Sequence, residues 1–294
     1  MAESGLRDAI SDFAGALVPL GARDLQRDLE DRLAKIPNRI NEYGFDPYGL
    51  APSWMRSLAL PGLLFYRYYF RAETFGIENL PTGRVLVIAN HAGQLPFDGM
   101  VLSTALLIEA EPPRLARAMG EYWIPQIPGF NILAARAGAM VGTPENCVHM
   151  LEKEECVVVF PEGVRGMNKL FSERYKLQRF GMGFMRLALE TNTPIVPVGI
   201  VGSEEQQPGL ANLTGLGKAL GIPAFPITAT FPWLGPLGLW PLPVKYRLYF
   251  GKPLHFEGDP NEEDAEMQLK VDCVKDAIHG LLQRGLRERE GVFR

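Results

Sequence analysis

One histidine and one aspartate form the pair best placed to move a proton. His91 follows a β-branched run over Val85–Ala89, and Asp98 lies seven positions further on. The run predicts a buried strand, and open α/β sheets bind ligands beyond the carboxyl ends of their strands. A carboxylate beside an imidazole fixes its tautomer and stabilises its protonated form. The pair therefore predicts a general base with a supporting acid, provided that the intervening glycine- and proline-containing loop turns back.

A second group of residues predicts an anion site. The segment 160–166 also follows a predicted buried strand, and Gly163 permits close approach of the backbone to a ligand. Arg165 offers a planar fork that suits a phosphate or a carboxylate. Four further cations follow within fifteen residues, namely Lys169, Arg174, Lys176 and Arg179. The alternative for this segment is a solvated charged loop.

The sequence lacks the residues and motifs that other common enzyme mechanisms require. The remaining histidines, His149, His255 and His279, have no evident catalytic partner, and we expect them to be structural or solvated. The sequence contains no GxSxG, Walker A or HExxH motif, so serine hydrolase, P-loop and zinc protease chemistry are unsupported. Its three cysteines form no CxxC pair, which indicates a reducing compartment and neither a disulfide framework nor a metal site.

The elements around these residues alternate between strand and helix. Apolar residues make up 47% of the 294 and charged residues 22%, which allows a large core. Strands are predicted over 85–89, 114–119, 156–160, 195–201 and 245–250, and helices over 98–109, 144–154, 183–191 and 262–287. Such alternation predicts an α/β fold with a mostly parallel central sheet flanked by helices. The net charge of −4 argues against a nucleic-acid partner.

The N-terminal part, residues 1–74, reads as a helical segment before an α/β domain over 75–294. Apolar residues at helical spacing predict a helix over 4–42. Residues 51–70 are apolar, with tryptophan, tyrosine and arginine at their margins, which is typical of an interfacial membrane anchor. The alternative is a helix packed on the core. The N-terminus lacks the charge order of a signal peptide, so we expect a cytoplasmic protein associated peripherally with the membrane.

Residues 219–244 contain no charged side chain, a length that could span a bilayer. They also contain six prolines, and so many cannot lie in one lipid-exposed helix, because each removes a backbone donor. A transmembrane helix is therefore excluded. Three alternatives remain: a buried or loop-rich connection, a wall of an acyl pocket, and a surface that dips into lipid.

Three motifs, in this order, resemble those of the glycerolipid acyltransferase superfamily, whose bacterial member is lysophosphatidate acyltransferase. The first is His91 with Asp98, and the last is the proline-bounded strand at 194–198. The middle one matches the family's Phe-Pro-Glu-Gly-x-Arg motif in full: Phe160, Pro161, Glu162, Gly163, Val164 and Arg165. The resemblance covers roughly residues 75–255.

The resemblance implies an O-acyltransferase that moves a fatty acyl group from acyl-CoA or acyl carrier protein to a glycerolipid hydroxyl, with no metal or other cofactor. It implies that His91 is the general base and that Asp98 holds its ring. Glu162, Gly163 and Arg165 would position the acceptor's head group, with Arg136, Lys176 and Arg179 as further contacts. The expected acceptor is lysophosphatidate, in phospholipid biosynthesis.

The sequence departs from the family pattern at two places. Six residues separate His91 from Asp98, where the family usually has four, and the second family block lacks its basic residue, although Arg136 lies just before it. The missing cation weakens the case for a phosphorylated acceptor. The proline- and tryptophan-rich tract over 225–243 also resembles the related branch that acylates neutral lipids, so the alternative acceptor is diacylglycerol, monoacylglycerol or a fatty alcohol. A non-catalytic lipid-binding protein and a thioesterase are the alternatives from other classes.

Overall fold

A seven-stranded sheet forms the centre of the protein. The structure, a computed structural model, describes residues 23–37, 40–122, 126, 129–219 and 225–294. The strands of the sheet are β1 (Glu73–Phe75), β2 (Val85–Ala89), β3 (Ala116–Gly120), β4 (Met140–Val141), β5 (Cys156–Val159), β6 (Ile195–Val201) and β9 (Arg247–Phe250). Between the last two, β7 (Gly209–Leu213) and β8 (Phe225–Thr228) form a separate antiparallel pair.

The large sheet is mostly parallel, as predicted. Its strand order is β1-β9-β6-β2-β5-β3-β4, and only the β6–β9 pairing is antiparallel. β2 lies between β5 and β6, with Ile88 opposite Val159 on one side and Pro197 on the other. The carboxyl ends of these three strands therefore meet at one edge of the sheet, which is where His91 and the 160–166 segment begin.

Helices cover both faces of the sheet. They are α1 (Arg23–Ala34), α2 (Pro52–Leu64), α3 (Phe97–Ile108), α4 (Phe130–Arg136), α5 (Pro144–Glu152), α6 (Val164–Met167), α7 (Gly183–Thr191), α8 (Thr214–Ala219) and α9 (Asp264–Glu288). Short 3-10 turns occupy Ile77–Asn79, Phe171–Glu173 and Gly235–Leu239, and a π-helical turn over Phe65–Tyr69 extends α2. No helix in the described part of the chain is both long and apolar enough to cross a membrane.

The two faces of β2 enter two different cores because side chains alternate along a strand. Val85, Val87 and Ala89 pack with residues of α2 and α3. Leu86 and Ile88 pack on the opposite face with residues of α5, α7 and α9. All five are fully buried, which is why this strand reads as a continuous apolar run.

The predicted helix over 4–42 is wrong at its C-terminal end. Within the described residues it ends at Ala34, and residues 4–22 lie outside them. Proline at position 37 disfavours the helical conformation of the residue before it. Beyond it, the Asn41 side chain accepts hydrogen bonds from the backbone of Tyr43 and Phe45, which forms a turn. The apolar spacing continues past the helix because Ile36 packs on the core from this irregular segment.

Residues 51–70 pack against the core, as in the alternative to the membrane anchor. Trp54 and Leu63 are 4% and 1% exposed, and Tyr66 and Phe70 are inaccessible. Tyr68 is the one large apolar side chain of this described stretch that is substantially exposed, at 56%. An interfacial anchor must present its apolar side chains outward, and here they fill the space between the sheet and α3. The boundary predicted at residue 74 thus separates elements that share one core.

Candidate active site

The imidazole of His91 and the carboxylate of Asp98 lie in direct contact. Nδ1 of His91 is 2.8 Å from Oδ2 of Asp98, and Asp98 is fully buried in the first turn of α3. The same carboxylate accepts hydrogen bonds from the backbone N–H groups of Ala92 and Gly99, at 2.9 and 2.8 Å. The carboxylate thus accepts from two backbone donors and lies against a third group that can donate, as suits an acceptor-only group. This contact favours the tautomer with its proton on Nδ1, in which the lone pair of Nε2 can accept a proton.

The loop between the two residues is held by a pair of glutamines. Gln206 donates from its amide to the carbonyl of Leu95 at 3.1 Å, and Gln207 accepts from the Leu95 N–H at 3.1 Å. Gly93 has a φ of 81°, and a Cβ there would collide with the Gln206 amide. The two extra residues of this loop are therefore accommodated against the segment that follows β6, and Asp98 still reaches the imidazole.

Asn90 fixes the end of the strand that carries His91. Its side-chain amide donates to the carbonyl of Ile200 at 3.1 Å and accepts from the Ile200 N–H at 2.7 Å. Asn90 is fully buried, so this reciprocal pair replaces the backbone ladder at the point where β2 leaves β6. The position of His91 relative to β6 is fixed as a result.

The side chain of Glu162 is buried and contacts the backbone of His91. Its Oε1 accepts the backbone N–H of His91 at 2.9 Å, and its Oε2 accepts that of Gln178 at 2.7 Å. The resemblance implied that Glu162 would position the acceptor's head group. Because the side chain is 1% exposed and both of its oxygens accept hydrogen bonds from the backbone, the structure does not place it to do so. The geometry gives it a different role, which is to position the His91 backbone.

Glu162 belongs to a buried network of ion pairs with Lys169 and Glu204. Lys169 lies 3.5 Å from the Glu162 carboxylate and donates to Glu204 at 2.8 Å, and the side chains of all three residues are almost wholly buried. Burial raises the pKa of Glu204 to about 7, and the nearby Lys169 ammonium offsets part of this rise. Lys169, one of the four cations that follow the predicted anion site, is thus an internal counter-ion.

Two residues of the 160–166 segment pack directly on the imidazole. The Phe160 ring stacks on that of His91, with 4.4 Å between centroids and 26° between planes. Gly166 lies so close that a Cβ would be 2.7 Å from the His91 carbonyl oxygen and 3.0 Å from its Cβ. The motif therefore determines the orientation of His91 as well as that of its own loop.

The outward side of the same motif is cationic. Arg165 is exposed next to Gly166, and Lys176 and Arg179 are also exposed. Gly163 adopts a φ of 55° before α6, so the turn favours glycine. Arg136 lies elsewhere: its guanidinium donates to the carbonyl of Gly49 at 2.9 Å and stacks over the Phe45 ring at 4.2 Å. These contacts hold the 45–49 turn and do not bring Arg136 to His91.

The described residues contain no group of three or more histidine, cysteine or acidic side chains arranged to hold a metal ion. Cys147 and Cys156 are buried, which raises the pKa of their thiols to about 11 and about 12 and makes them poor nucleophiles. Cys273 is exposed on α9. No cysteine contacts the His91–Asp98 pair.

Sequence patterns gave little sign of the supporting residues. Glu204, Gln206 and Gln207 lie in a polar stretch directly after β6, where buried side chains are unusual. The one available signal was position, since this stretch follows a central strand at the edge of the sheet that carries His91. Phe160 was visible only as part of its motif.

Comparisons with known proteins agree with this geometry. Residues 71–201 match the Acyltransferase family. An uncharacterized protein of Mycobacterium tuberculosis is 39% identical over 259 residues, which are 86% of this chain and 72% of that protein. A protein of Gallus gallus named "DGAT1/2-independent enzyme synthesizing storage lipids" is 27% identical over 232 residues, 76% of this chain and 65% of its own.

The fold is also found in a solved structure. The crystal structure of the 1-acyl-sn-glycerophosphate acyltransferase PlsC from Thermotoga maritima superposes with a TM-score of 0.55 at 16% identity. The match covers 98% of this chain and 99% of that one. With the family match spanning β1 to β6, the paired His91 and Asp98 and the relatives above, the chain belongs to the glycerolipid acyltransferase superfamily.

Proposed function

We propose that this acyltransferase moves a fatty acyl group from a thioester to the hydroxyl of a glycerolipid, with His91 as the general base. The observation that carries the proposal is the 2.8 Å contact between His91 Nδ1 and a buried Asp98 carboxylate. No described residue forms a hydrogen bond with Nε2, so this nitrogen is available to accept the proton of a hydroxyl.

The proposed reaction has two proton transfers. Nε2 of His91 takes the proton of the acceptor hydroxyl while its oxygen attacks the thioester carbonyl, and Asp98 stabilises the imidazolium that forms. The tetrahedral intermediate then expels the thiolate, which takes the proton back from His91. The products are the lipid ester and the free thiol, and His91 returns to its starting state.

The acceptor of first choice is lysophosphatidate. The support is Arg165, an exposed guanidinium next to the glycine that touches His91, because such a fork binds phosphate well. A neutral acceptor is the second candidate. Arg136 is engaged with the 45–49 turn, and the relative from Gallus gallus is named for storage lipids.

A basic groove supports acyl-CoA as the donor. It measures about 830 Å³ and lies between residues 174–177 and α9, with Arg174, Lys176, Lys275 and Arg289 among its lining residues. Tyr175 in its wall accepts a hydrogen bond from the N–H of Gly202, directly beyond β6, at 3.0 Å. One wall of the groove therefore reaches the edge of the sheet that carries His91. Its four cations outnumber the single acidic lining residue, Asp276, which suits the phosphates of coenzyme A.

The test of the reaction is thiol release by the purified chain with each lipid acceptor in turn. We expect release to require an acceptor and the product to be its ester by mass spectrometry. Release into water alone would indicate a thioesterase, and no release with any thioester would indicate a non-catalytic lipid-binding protein.

A second assay tests the donor. We expect Lys275→Ala to raise the KM for acyl-CoA severalfold and to leave that for acyl-phosphopantetheine unchanged, because only the former carries the nucleotide phosphates. Efficient transfer from acyl carrier protein, with poor use of acyl-CoA, would contradict coenzyme A as the donor.

A further inference from the structure

One region of the surface is apolar and almost without charge. From Gln206 to Val244 the sequence contains a single charged residue, Lys218. Half of the large hydrophobic side chains found exposed among the described residues lie in this stretch. We call them the uncharged surface: Leu210, Leu213, Leu216, Trp233, Leu234, Leu237 and Trp240. Trp233 is 71% exposed and Leu237 is 77% exposed, which is unusual for side chains of this size.

The parts that carry the uncharged surface are joined to one another. The N–H of Ala229 donates to the carbonyl of Pro208 at 3.2 Å, which ties the residue after β8 to the residue before β7. The Thr230 hydroxyl donates to the carbonyl of Gly238 at 2.8 Å. A Cβ on Gly238 would clash with residues 230 and 231, so this tight packing requires glycine. The exposed side chains are therefore carried by an ordered unit and not by separate loops.

The same unit is bonded to the loop that carries His91. Gln207 donates to the carbonyl of Leu239 at 2.5 Å and accepts from the N–H of Leu95 at 3.1 Å. Aromatic rings make a second connection between the two regions. The ring centroids of Trp240 and Phe65 are 5.5 Å apart, and those of Phe65 and Phe97, the neighbour of Asp98, are 5.7 Å apart. The uncharged surface is thus continuous with the wall of the active site.

We propose that the uncharged surface docks on a lipid bilayer, so that the acceptor passes from the membrane to His91 without crossing water. Exposed tryptophan and leucine in a stretch with a single charged residue are the composition that partitions into the membrane interface. A protein partner would require the polar, partly charged rim that is typical of protein interfaces, and this stretch does not supply one. The choice of occupant rests on the proposed function, because a lipid acceptor resides in the bilayer.

This proposal places membrane contact at a different site from residues 51–70. Those residues are also apolar and aromatic, but they include two arginines and most of their apolar side chains pack on the core. Trp240 connects the two regions, because its indole N–H donates to the Tyr69 hydroxyl at 2.8 Å. The segment predicted to be an anchor is therefore the support on which the uncharged surface rests.

The test is sedimentation of the full chain with vesicles of phosphatidylcholine, which carry no net charge. We expect binding that persists at high salt, because no ion pairs are involved. Leu237→Ser and Trp233→Ser should each weaken the partition about tenfold, since each removes one large apolar group from the lipid. The matched control is Leu269→Ser on α9, where the leucine is 71% exposed and should leave binding unchanged.

Several outcomes would overturn the proposal: no binding to these vesicles, equal loss in all three variants, or a dimer of the native chain that Leu237→Ser dissociates. Binding is measured without substrate, so it can succeed or fail independently of acyl transfer. Where transfer occurs, Leu237→Ser should lose activity toward acceptor embedded in vesicles and keep it toward a short-chain acceptor in solution. Equal loss toward both would contradict the proposal.

Discussion

The side chain of Glu162 holds the backbone of His91, from its Oε1 to the His91 N–H, at 2.9 Å. This contact joins two segments 71 residues apart in the chain, each of which follows a central strand. The acidic residue of the Phe-Pro-Glu-Gly-x-Arg motif is thereby explained as part of the frame around the base. The arrangement leads to five predictions.

Replacing the base or its partner should remove activity and leave the fold intact. We expect His91→Ala to lower kcat by about 10³-fold or more, and Asp98→Asn by about 10²- to 10⁴-fold, because the amide no longer favours the Nδ1–H tautomer. The measurement is initial rate of acyl transfer, with circular dichroism to check folding. His255→Ala, at an exposed histidine, is the control and should retain full activity. Near-native activity of His91→Ala would refute its role as the base.

Glu162→Gln should affect turnover more than substrate binding. The amide nitrogen of glutamine would face a backbone N–H, either that of His91 or that of Gln178, and one donor would lose its acceptor. Such a loss costs about 1–3 kcal/mol. We expect a lower kcat, a nearly unchanged KM and a lower melting temperature. Glu257→Gln, at an exposed site, serves as the control. A raised KM for the acceptor with kcat unchanged would instead support direct contact with the head group.

Gly166→Ala should displace the imidazole. A methyl group there would lie 2.7 Å from the His91 carbonyl oxygen, which is backbone and cannot give way cheaply. We expect kcat to fall by about tenfold or more, since a displaced base no longer reaches the hydroxyl. Gly280→Ala, where nothing lies within 4 Å, is the matched control. Equal activities in the two variants would show that His91 tolerates the shift.

Glu204 should make stability fall as pH rises from about 4.5 to about 7. Burial raises its pKa in the folded state to about 7 from the ordinary 4.5, so in this window the folded protein keeps a proton that the unfolded chain has released. Stability from this group is therefore present at low pH and lost as pH rises. The full loss is on the order of 3 kcal/mol, at about 1.4 kcal/mol per pKa unit.

The measurement is urea unfolding of the native chain and of Glu204→Gln at pH 5 and pH 7.5. The glutamine variant should lose less stability between the two values than the native chain. Groups remote from Glu204 titrate alike in both proteins, so the difference reports Glu204 together with the charges coupled to it. An identical pH dependence would show that this carboxyl does not titrate in the window.

Arg165→Ala should distinguish between acceptors. If the guanidinium binds a phosphate, its removal raises the KM for lysophosphatidate by about tenfold or more and leaves that for monoacylglycerol nearly unchanged. Arg287→Ala, at an exposed arginine on α9, is the control. An equal effect on both acceptors would argue against a phosphate contact and would favour the neutral acceptor.

The central sheet and the contact between His91 and Asp98 could be predicted from the sequence, for identifiable reasons. The strand Ile195–Val201 and the helix Gly183–Thr191 have the predicted bounds, because a strand buried on both faces is continuously apolar and the helix shows clear amphipathic spacing. His91 and Asp98 were placed by their position at a strand end. The spacing of six intervening residues proved compatible with contact, through a loop that folds back.

What remained unpredictable was the direction in which side chains point from irregular segments. Glu162 and Arg165 lie three positions apart in one loop, yet one is buried and the other exposed. The 51–70 segment shows the same limit, because composition alone does not distinguish an apolar face turned toward a core from one turned toward lipid. Both outcomes depend on tertiary contacts, and these are set by residues far away in the chain.

The opposite orientations of Glu162 and Arg165 separate two tasks within six residues. The inward half is tied to His91, the proposed base, and tolerates little change, whereas Arg165 on the outward half is exposed to solvent. On the proposed function, we expect substitutions at position 165 to alter the choice of acceptor and to leave His91 in place. A library restricted to the exposed positions 165, 176 and 179 is the natural place to search for enzymes with new lipid products.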